Sequence, residues 1–163
     1  AENFDGLDKN KQVYVFSDIT TNGDWRNPII YDFANVFVKN ESNYGYKDSV
    51  GVSIETDDFL DRISEIQSDD QVVLALYEPE LLYYVTGDDG NSYSEYMSWY
   101  EVLEKIEEKT SNIIIINFEI PSYTLNMELK EYPIIYLNGY YDASFSHLLE
   151  VMQNGKCNGK TYK

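Results

Sequence analysis

Two short runs, QVVLALY at 71–77 and NIIIINFEI at 112–120, constrain the fold of this 163-residue chain more than any other feature. Both are apolar at consecutive positions and rich in β-branched residues, which is typical of strands covered on both faces. Such strands occur mainly in parallel sheets that carry helices on both sides. The sequence therefore predicts an α/β fold built around a covered central sheet.

Shorter runs of β-branched and aromatic residues predict further strands before and after these two. They lie at 13–19, 49–55 and 133–137, with a return strand starting at 140–142. Asn138-Gly139 is a typical two-residue hairpin turn, so the last two strands are expected to pair in antiparallel fashion. The predicted sheet is therefore mixed, with an antiparallel edge.

Apolar residues at helical spacing predict amphipathic helices between the strands. These helices are expected to begin at or directly after Pro28, Thr56, Ser92 and Ser144. Ser92 and Glu95 form a capping box, and Gly155 is placed to end the last helix. The polar residues 1–11 are expected to be loose. Strands and helices thus alternate along the chain, which is typical of an α/β sheet with helices on both faces.

The chain is strongly acidic. Its 29 Asp and Glu residues exceed its 12 Lys and Arg residues, which gives a formal net charge of −17. Such a surface repels nucleic acids and anionic membranes, because binding them requires cationic side chains. We therefore expect no nucleic-acid partner, and the apolar runs are too short for a membrane-spanning helix. A basic or polar protein partner, or calcium, is compatible with the charge.

Few side chains are suited to covalent or metal chemistry. Cys157 is the one cysteine, which excludes an intrachain disulfide, a CxxC motif and a cysteine zinc cluster. His147 is the one histidine, and its position within a predicted helix is unsuited to activating a nucleophile. Glu78 and Glu80 share a face of an extended segment and form a weak candidate for an acid–base pair. We assign no catalytic residue, metal site or cofactor.

From about residue 50 onward, the chain resembles the thioredoxin superfamily, in particular its protein disulfide isomerase branch. SIETDDFLDRI at 53–63 resembles the family's opening strand and the start of the helix that follows. LALYEPELLYY at 74–84 resembles the stretch that leads from a strand into the family's active site. EYPIIYL at 131–137 resembles the segment around the family's cis-proline, and the final helix also fits.

The reactive residues of that family are missing here. Tyr77 and Pro79 match the family's motif, but Glu80 occupies the tryptophan position, and Leu81 and Tyr84 stand where the two cysteines would be. Disulfide exchange requires a thiolate that attacks a sulfur atom, and neither leucine nor tyrosine supplies one. The resemblance therefore implies a redox-inactive protein without dithiol oxidoreductase activity.

The resemblance also implies a domain organisation. A single domain is expected over residues 1–163. Its thioredoxin-like core, a mixed sheet flanked by helices, would occupy residues 49–155. Residues 1–48 would form an extension that adds an N-terminal strand and helix, and residues 156–163 would form a tail.

Such a protein would retain a peptide-binding groove beside the strand that begins at Pro133. The Tyr132–Pro133 bond is then expected to be cis and to lie next to Leu81. Aromatic rims can bury side chains of the bound peptide, although aromatic residues dominate protein cores as well. The resemblance thus implies an adaptor or chaperone-like module for a polypeptide. Its expected groove residues are Tyr77, Glu78, Glu80, Leu81, Tyr83, Tyr84, Tyr132 and Pro133.

Two other functions are alternatives. SDITTNG at 17–23 loosely resembles the phosphate loop of flavodoxins, which would make the chain a flavin-binding electron carrier. Asp18 and Asp24 would repel a phosphate, however, and an ordinary turn is the simpler interpretation. Asp88-Asp89-Gly90-Asn91 supplies oxygen ligands but lacks the ligand spacing of an EF-hand. VLALYEP resembles the calsequestrin family, so low-affinity calcium binding is the other alternative.

Asn40-Glu41-Ser42 is an N-glycosylation sequon, which makes Asn40 a candidate glycosylation site. The chain also starts without Met, as a trimmed mature form would. Together with the family resemblance, these features lead us to expect the secretory pathway or the endoplasmic reticulum lumen.

Overall fold

The computed structural model describes residues 4–17, 48–53, 59–76, 82–86, 93–97, 99–118, 132–137 and 142–155. The strands in these ranges are β1 (Gln12–Ser17), β2 (Asp48–Ser53), β3 (Gln71–Leu76), β4 (Leu82–Thr86), β5 (Tyr93–Met97), β6 (Ile113–Asn117) and β7 (Ile134–Tyr136). The helices are α1 (Phe59–Glu65), α2 (Trp99–Glu107) and α3 (Asp142–Asn154). None of these helices has the length and apolarity needed to cross a membrane.

Five strands form the main sheet in the order β2-β1-β3-β6-β7, and every neighbouring pair is parallel. β1 lies between β2 and β3, so the strand expected in an N-terminal extension is a central strand of the sheet. Parallel neighbours require crossover connections, which fits the predicted alternation of strands and helices. The predicted α/β class is confirmed.

The core lies on both faces of β1, β3 and β6, because successive side chains of a strand point to opposite faces. Residues of α1 and α2 cover one face, where the buried cluster is Tyr14, Phe16, Ile63, Ile66, Val72, Leu74, Leu76, Val102, Leu103, Ile106, Ile113 and Ile115. Residues of α3 cover the other, where the cluster is Leu7, Val13, Val15, Val73, Ala75, Ile114, Ile116, Phe118, Leu137, Leu148 and Met152. The predicted covering of the central strands is therefore confirmed.

A separate two-stranded hairpin follows β3. β4 and β5 pair in antiparallel fashion, with Tyr83 opposite Tyr96 and Tyr84 opposite Glu95. The helix predicted from Ser92 is therefore wrong over 93–97, and Glu95 does not serve as the partner in a capping box. Aromatic residues favour strands, and pairing with β4 outweighs the local capping pattern. Helix α2 begins at Trp99 instead.

The end of the sheet also differs from the prediction. β7 runs parallel to β6, and Asp142 is the first residue of α3 rather than part of a return strand. Tyr140, the expected start of that strand, lies outside the described residues. The described residues contain no cis peptide bond, so the Tyr132–Pro133 bond is trans. The bond therefore lacks the cis geometry of the family segment that EYPIIYL resembles.

The N-terminal segment is packed rather than loose from residue 4 onward. Leu7 is buried, and its backbone N–H donates to the Met152 carbonyl at 2.7 Å. Gly155 has a φ of 70° and donates its N–H to Val151 at 2.7 Å, which ends α3 as predicted. Residues near both chain ends thus meet on one face of the sheet.

Gly155→Ala should destabilise the protein by more than about 1 kcal/mol. A side chain is disfavoured at this positive φ, and the added Cβ would overlap the carbonyl oxygen of Phe4. Urea unfolding of both proteins measures the difference. Asn154→Ala is the control, because it removes one exposed hydrogen bond to Glu150 and should cost less. Equal stability of the wild type and the Gly155 variant would contradict the close packing.

Candidate functional site

The carboxyl edge of the sheet, where β1, β3 and β6 end, is the candidate site. Ser17 lies opposite Ala75, and Leu76 lies opposite Asn117, so the three strands end almost level. In open α/β sheets, ligands bind outside this edge, at the point where successive connections leave in opposite directions. For the order β2-β1-β3-β6-β7, this point lies between β1 and β3.

Hydrogen bonds between neighbouring strands hold this edge in place. Phe118 donates its backbone N–H to the Leu76 carbonyl at 3.0 Å, and Leu137 donates to the Asn117 carbonyl at 2.9 Å. Ser17 and Asn117 are polar but at most 1% exposed. The ends of β3, β6 and β7 are therefore joined by backbone hydrogen bonds.

The predicted groove has eight residues, of which the structure describes four. Four of them, Tyr77, Glu78, Glu80 and Leu81, lie outside the described residues. Tyr83 and Tyr84 belong to β4 in the separate hairpin. Asn40 and the two alternative sites at 18–24 and 88–91 also lie outside the described ranges.

Tyr132 and Pro133 lie toward the opposite, amino edge of the sheet. Ile134 is opposite Ile115, which is opposite Leu74, so Pro133 is level with Val73. The end of β3 at Leu76 is therefore about 10 Å further along the strand direction. The structure does not bring this tyrosine and proline together with the carboxyl edge.

Tyr132 is held by contacts with the rest of the fold. Its hydroxyl group donates a hydrogen bond to the carboxylate of Glu107 at the end of α2. Its half-buried ring packs against the core cluster that α1 and α2 form with the sheet. Pro133 contributes a backbone carbonyl that accepts from the Ile115 N–H at 3.0 Å. These contacts give both residues a part in the packing of the fold.

A pocket of about 290 Å³ opens at the amino edge of the sheet. Phe4–Leu7 form one wall, and Gln71, Asn112 and Pro133 contribute to the other. Sequence reasoning missed this pocket, because its walls come from segments far apart in the chain and no local motif marks them. In the described part of the chain, no group of three or more His, Cys, Asp or Glu side chains is placed to hold a metal ion.

Comparisons of the chain with protein-family models, with curated proteins and with solved structures gave no match.

Tyr132→Phe should lower the free energy of unfolding by about 1 kcal/mol or less, because it removes one hydrogen bond from an exposed pair. Tyr132→Ala should cost more, up to about 3 kcal/mol, because the ring also packs against the core. Urea unfolding measures both changes.

A double-mutant cycle with Glu107→Gln isolates the hydrogen bond, because variants of interacting residues are not additive. Glu108→Gln, on the exposed neighbouring residue, is the control and should add independently. Additivity of the Tyr132 and Glu107 variants would show that their contact does not contribute to stability.

Proposed function

We propose that the chain is a redox-inactive binding module that holds a basic segment of a polypeptide at the carboxyl edge of its parallel sheet. The observation that carries this proposal is the position of β1 beside β3. It makes the segments that follow Ser17 and Leu76 leave the sheet from neighbouring strands. Both segments carry an acidic residue within their first two positions in the sequence.

Charge favours a basic partner. Asp18 follows Ser17 directly, and Glu78 and Glu80 follow Leu76 within four residues. The whole chain has a net charge of −17, so the surrounding potential attracts cations and speeds association with them. Anionic ligands are repelled by the same potential.

The residue inventory supports binding rather than dithiol–disulfide exchange. Cys157 is the one thiol of the chain, and exchange between two thiols of one site requires a second. A binding module needs a shaped edge, aromatic surface and complementary charge, and the chain has 16 tyrosines in addition to its acidic residues. An adaptor or chaperone-like role for a polypeptide is consistent with these features.

Two arrangements of the α/β fold bear on the proposal. The thioredoxin-like core is supported by the sequence resemblance of 53–63, 74–84 and 131–137. The doubly wound, flavodoxin-like arrangement is supported by the strand order and by parallel pairing of β7 with β6. We favour the second arrangement, because pairing and order describe the sheet more directly than local sequence patterns do.

A labelled peptide of alternating lysine and threonine tests the proposal by fluorescence anisotropy. We expect binding that weakens with added salt, since exposed charges are screened. The double variant Glu78→Gln/Glu80→Gln should bind at least about tenfold more weakly, because two attractive charges are removed from the site.

The matched control is Glu104→Gln/Glu108→Gln, which changes the net charge equally on exposed positions at and just beyond the end of α2. This control should bind nearly as the wild type does. A peptide of glutamine and threonine should bind more weakly than the lysine peptide. Equal losses in the two double variants would assign the binding to net charge and contradict a site at the carboxyl edge.

Flavin binding is a second candidate, which the strand order β2-β1-β3-β6-β7 favours because flavodoxins share it. Strand order alone does not determine a ligand, and the acidic segment that begins at Asp18 opposes a phosphate. Titration of FMN with the protein distinguishes the candidates. A flavin carrier would quench FMN fluorescence with saturation, whereas the peptide-binding module should leave it unchanged.

A further inference from the structure

An N-terminal strap, residues 4–8, connects the last helix with the amino edge of the sheet. Leu7 is 7% exposed and packs in the same buried cluster as Leu148 and Met152 of α3. Its N–H donates to the Met152 carbonyl at 2.7 Å. The strap thus contributes both an apolar side chain and a hydrogen bond to the surface against which α3 packs.

The strap is fastened to the sheet through one side-chain amide. Gln71, the first residue of β3, is 7% exposed. Its Oε1 accepts from the Asp8 N–H at 2.6 Å, and its Nε2 donates to the Asp8 carbonyl at 2.9 Å. The strap therefore supplies a partner for both the oxygen and the nitrogen of this buried amide. Detachment of the strap would leave these two polar groups without their hydrogen bonds.

The strap also forms a wall of the pocket at the amino edge. Phe4–Leu7 line it opposite Asn112 and Pro133. Gly6 has a φ of 98°, and a Cβ there would lie 2.7 Å from the carbonyl oxygen of Gln153. Removal of the strap from this position would open the pocket and uncover the C-terminal turn of α3 together.

We propose that the strap is a conformational latch whose release opens the pocket and frees the C-terminal turns of α3 while the central sheet stays folded. Among the described contacts, three hydrogen bonds, the buried side chain of Leu7 and the partly buried ring of Phe4 hold the strap. β3, in contrast, is buried at every residue and pairs with a strand on each side. Segments with few buried contacts open at lower free energy than core strands do.

Native-state hydrogen exchange on the full chain tests the latch with Gln71→Ala, which removes both side-chain hydrogen bonds to the strap. We expect the amides of Leu7, Met152 and Gly155 to exchange at least about tenfold faster, with amides of β6 unchanged. Gly6→Ala places a Cβ against the carbonyl oxygen of Gln153 in α3 and so disturbs the strap from its other side. It should accelerate hydrogen exchange of the same amides.

Gln67→Ala is the matched control, because its side chain bonds the exposed Glu65 carbonyl and does not contact the strap. This control should leave the exchange of all these amides unchanged. Faster exchange at Leu7 alone would show that the strap does not hold α3. Equal acceleration in β6 would show global destabilisation, and either outcome overturns the latch.

Discussion

Burial of β3 on both faces is the constraint on which the rest of the structure depends. All six residues of this strand are buried, and it pairs in parallel with β1 and β6. Parallel strands cannot be joined by tight turns, so the chain must cross the sheet between them, and the crossing helices then cover the faces. The same constraint places the carboxyl ends of the five strands of the main sheet at one edge. The position of the candidate site at the carboxyl edge therefore follows from the parallel pairing that builds the core.

The amino edge is organised by polar contacts instead. Thr110, before β6, donates its hydroxyl hydrogen to the carbonyl of Asp70, before β3, at 2.8 Å. The Asp70 carboxylate accepts from the Gln67 N–H at 2.8 Å, and the amide of Gln71 binds the strap. Buried polar groups of this kind are stable only when they are hydrogen-bonded, which fixes the loops that carry them. The two edges thus differ in kind, since side-chain hydrogen bonds tie the loops at the amino edge, whereas backbone hydrogen bonds join the strand ends at the carboxyl edge.

The sequence predicted the parts of the fold that depend on local pattern. The apolar runs at 71–77 and 112–120 became β3 and β6, and Gly155 ends the last helix as its position indicated. Burial of Ile63, Ile66, Leu103 and Ile106 follows their helical spacing. Consecutive apolar residues, or apolar residues three and four apart, determine an element and its covered face with little help from the rest of the chain.

What the sequence did not predict depends on pairing and packing partners that lie outside the local motif. Tyr93–Met97 form a strand because β4 is available to pair with them, although the local capping pattern favours a helix. The packing of Leu7 depends on Met152, and no sequence motif near residue 7 predicts this contact. The pocket at the amino edge has the same origin, so candidate sites of this kind escape any reading of short motifs.

The resemblance of EYPIIYL at 131–137 to a cis-proline segment shows where such patterns stop being informative. A proline followed by apolar residues predicts a strand, and β7 is indeed a strand. Its direction relative to β6 is set by the parallel pairing in which Ile134 lies opposite Ile115. The composition of a short strand does not reveal whether it pairs in parallel or in antiparallel fashion, because one covered face requires the same apolar residues in either case. The trans bond and the parallel pairing therefore describe this segment more directly than the motif does, and the Tyr132 hydroxyl group contacts Glu107 at the end of α2.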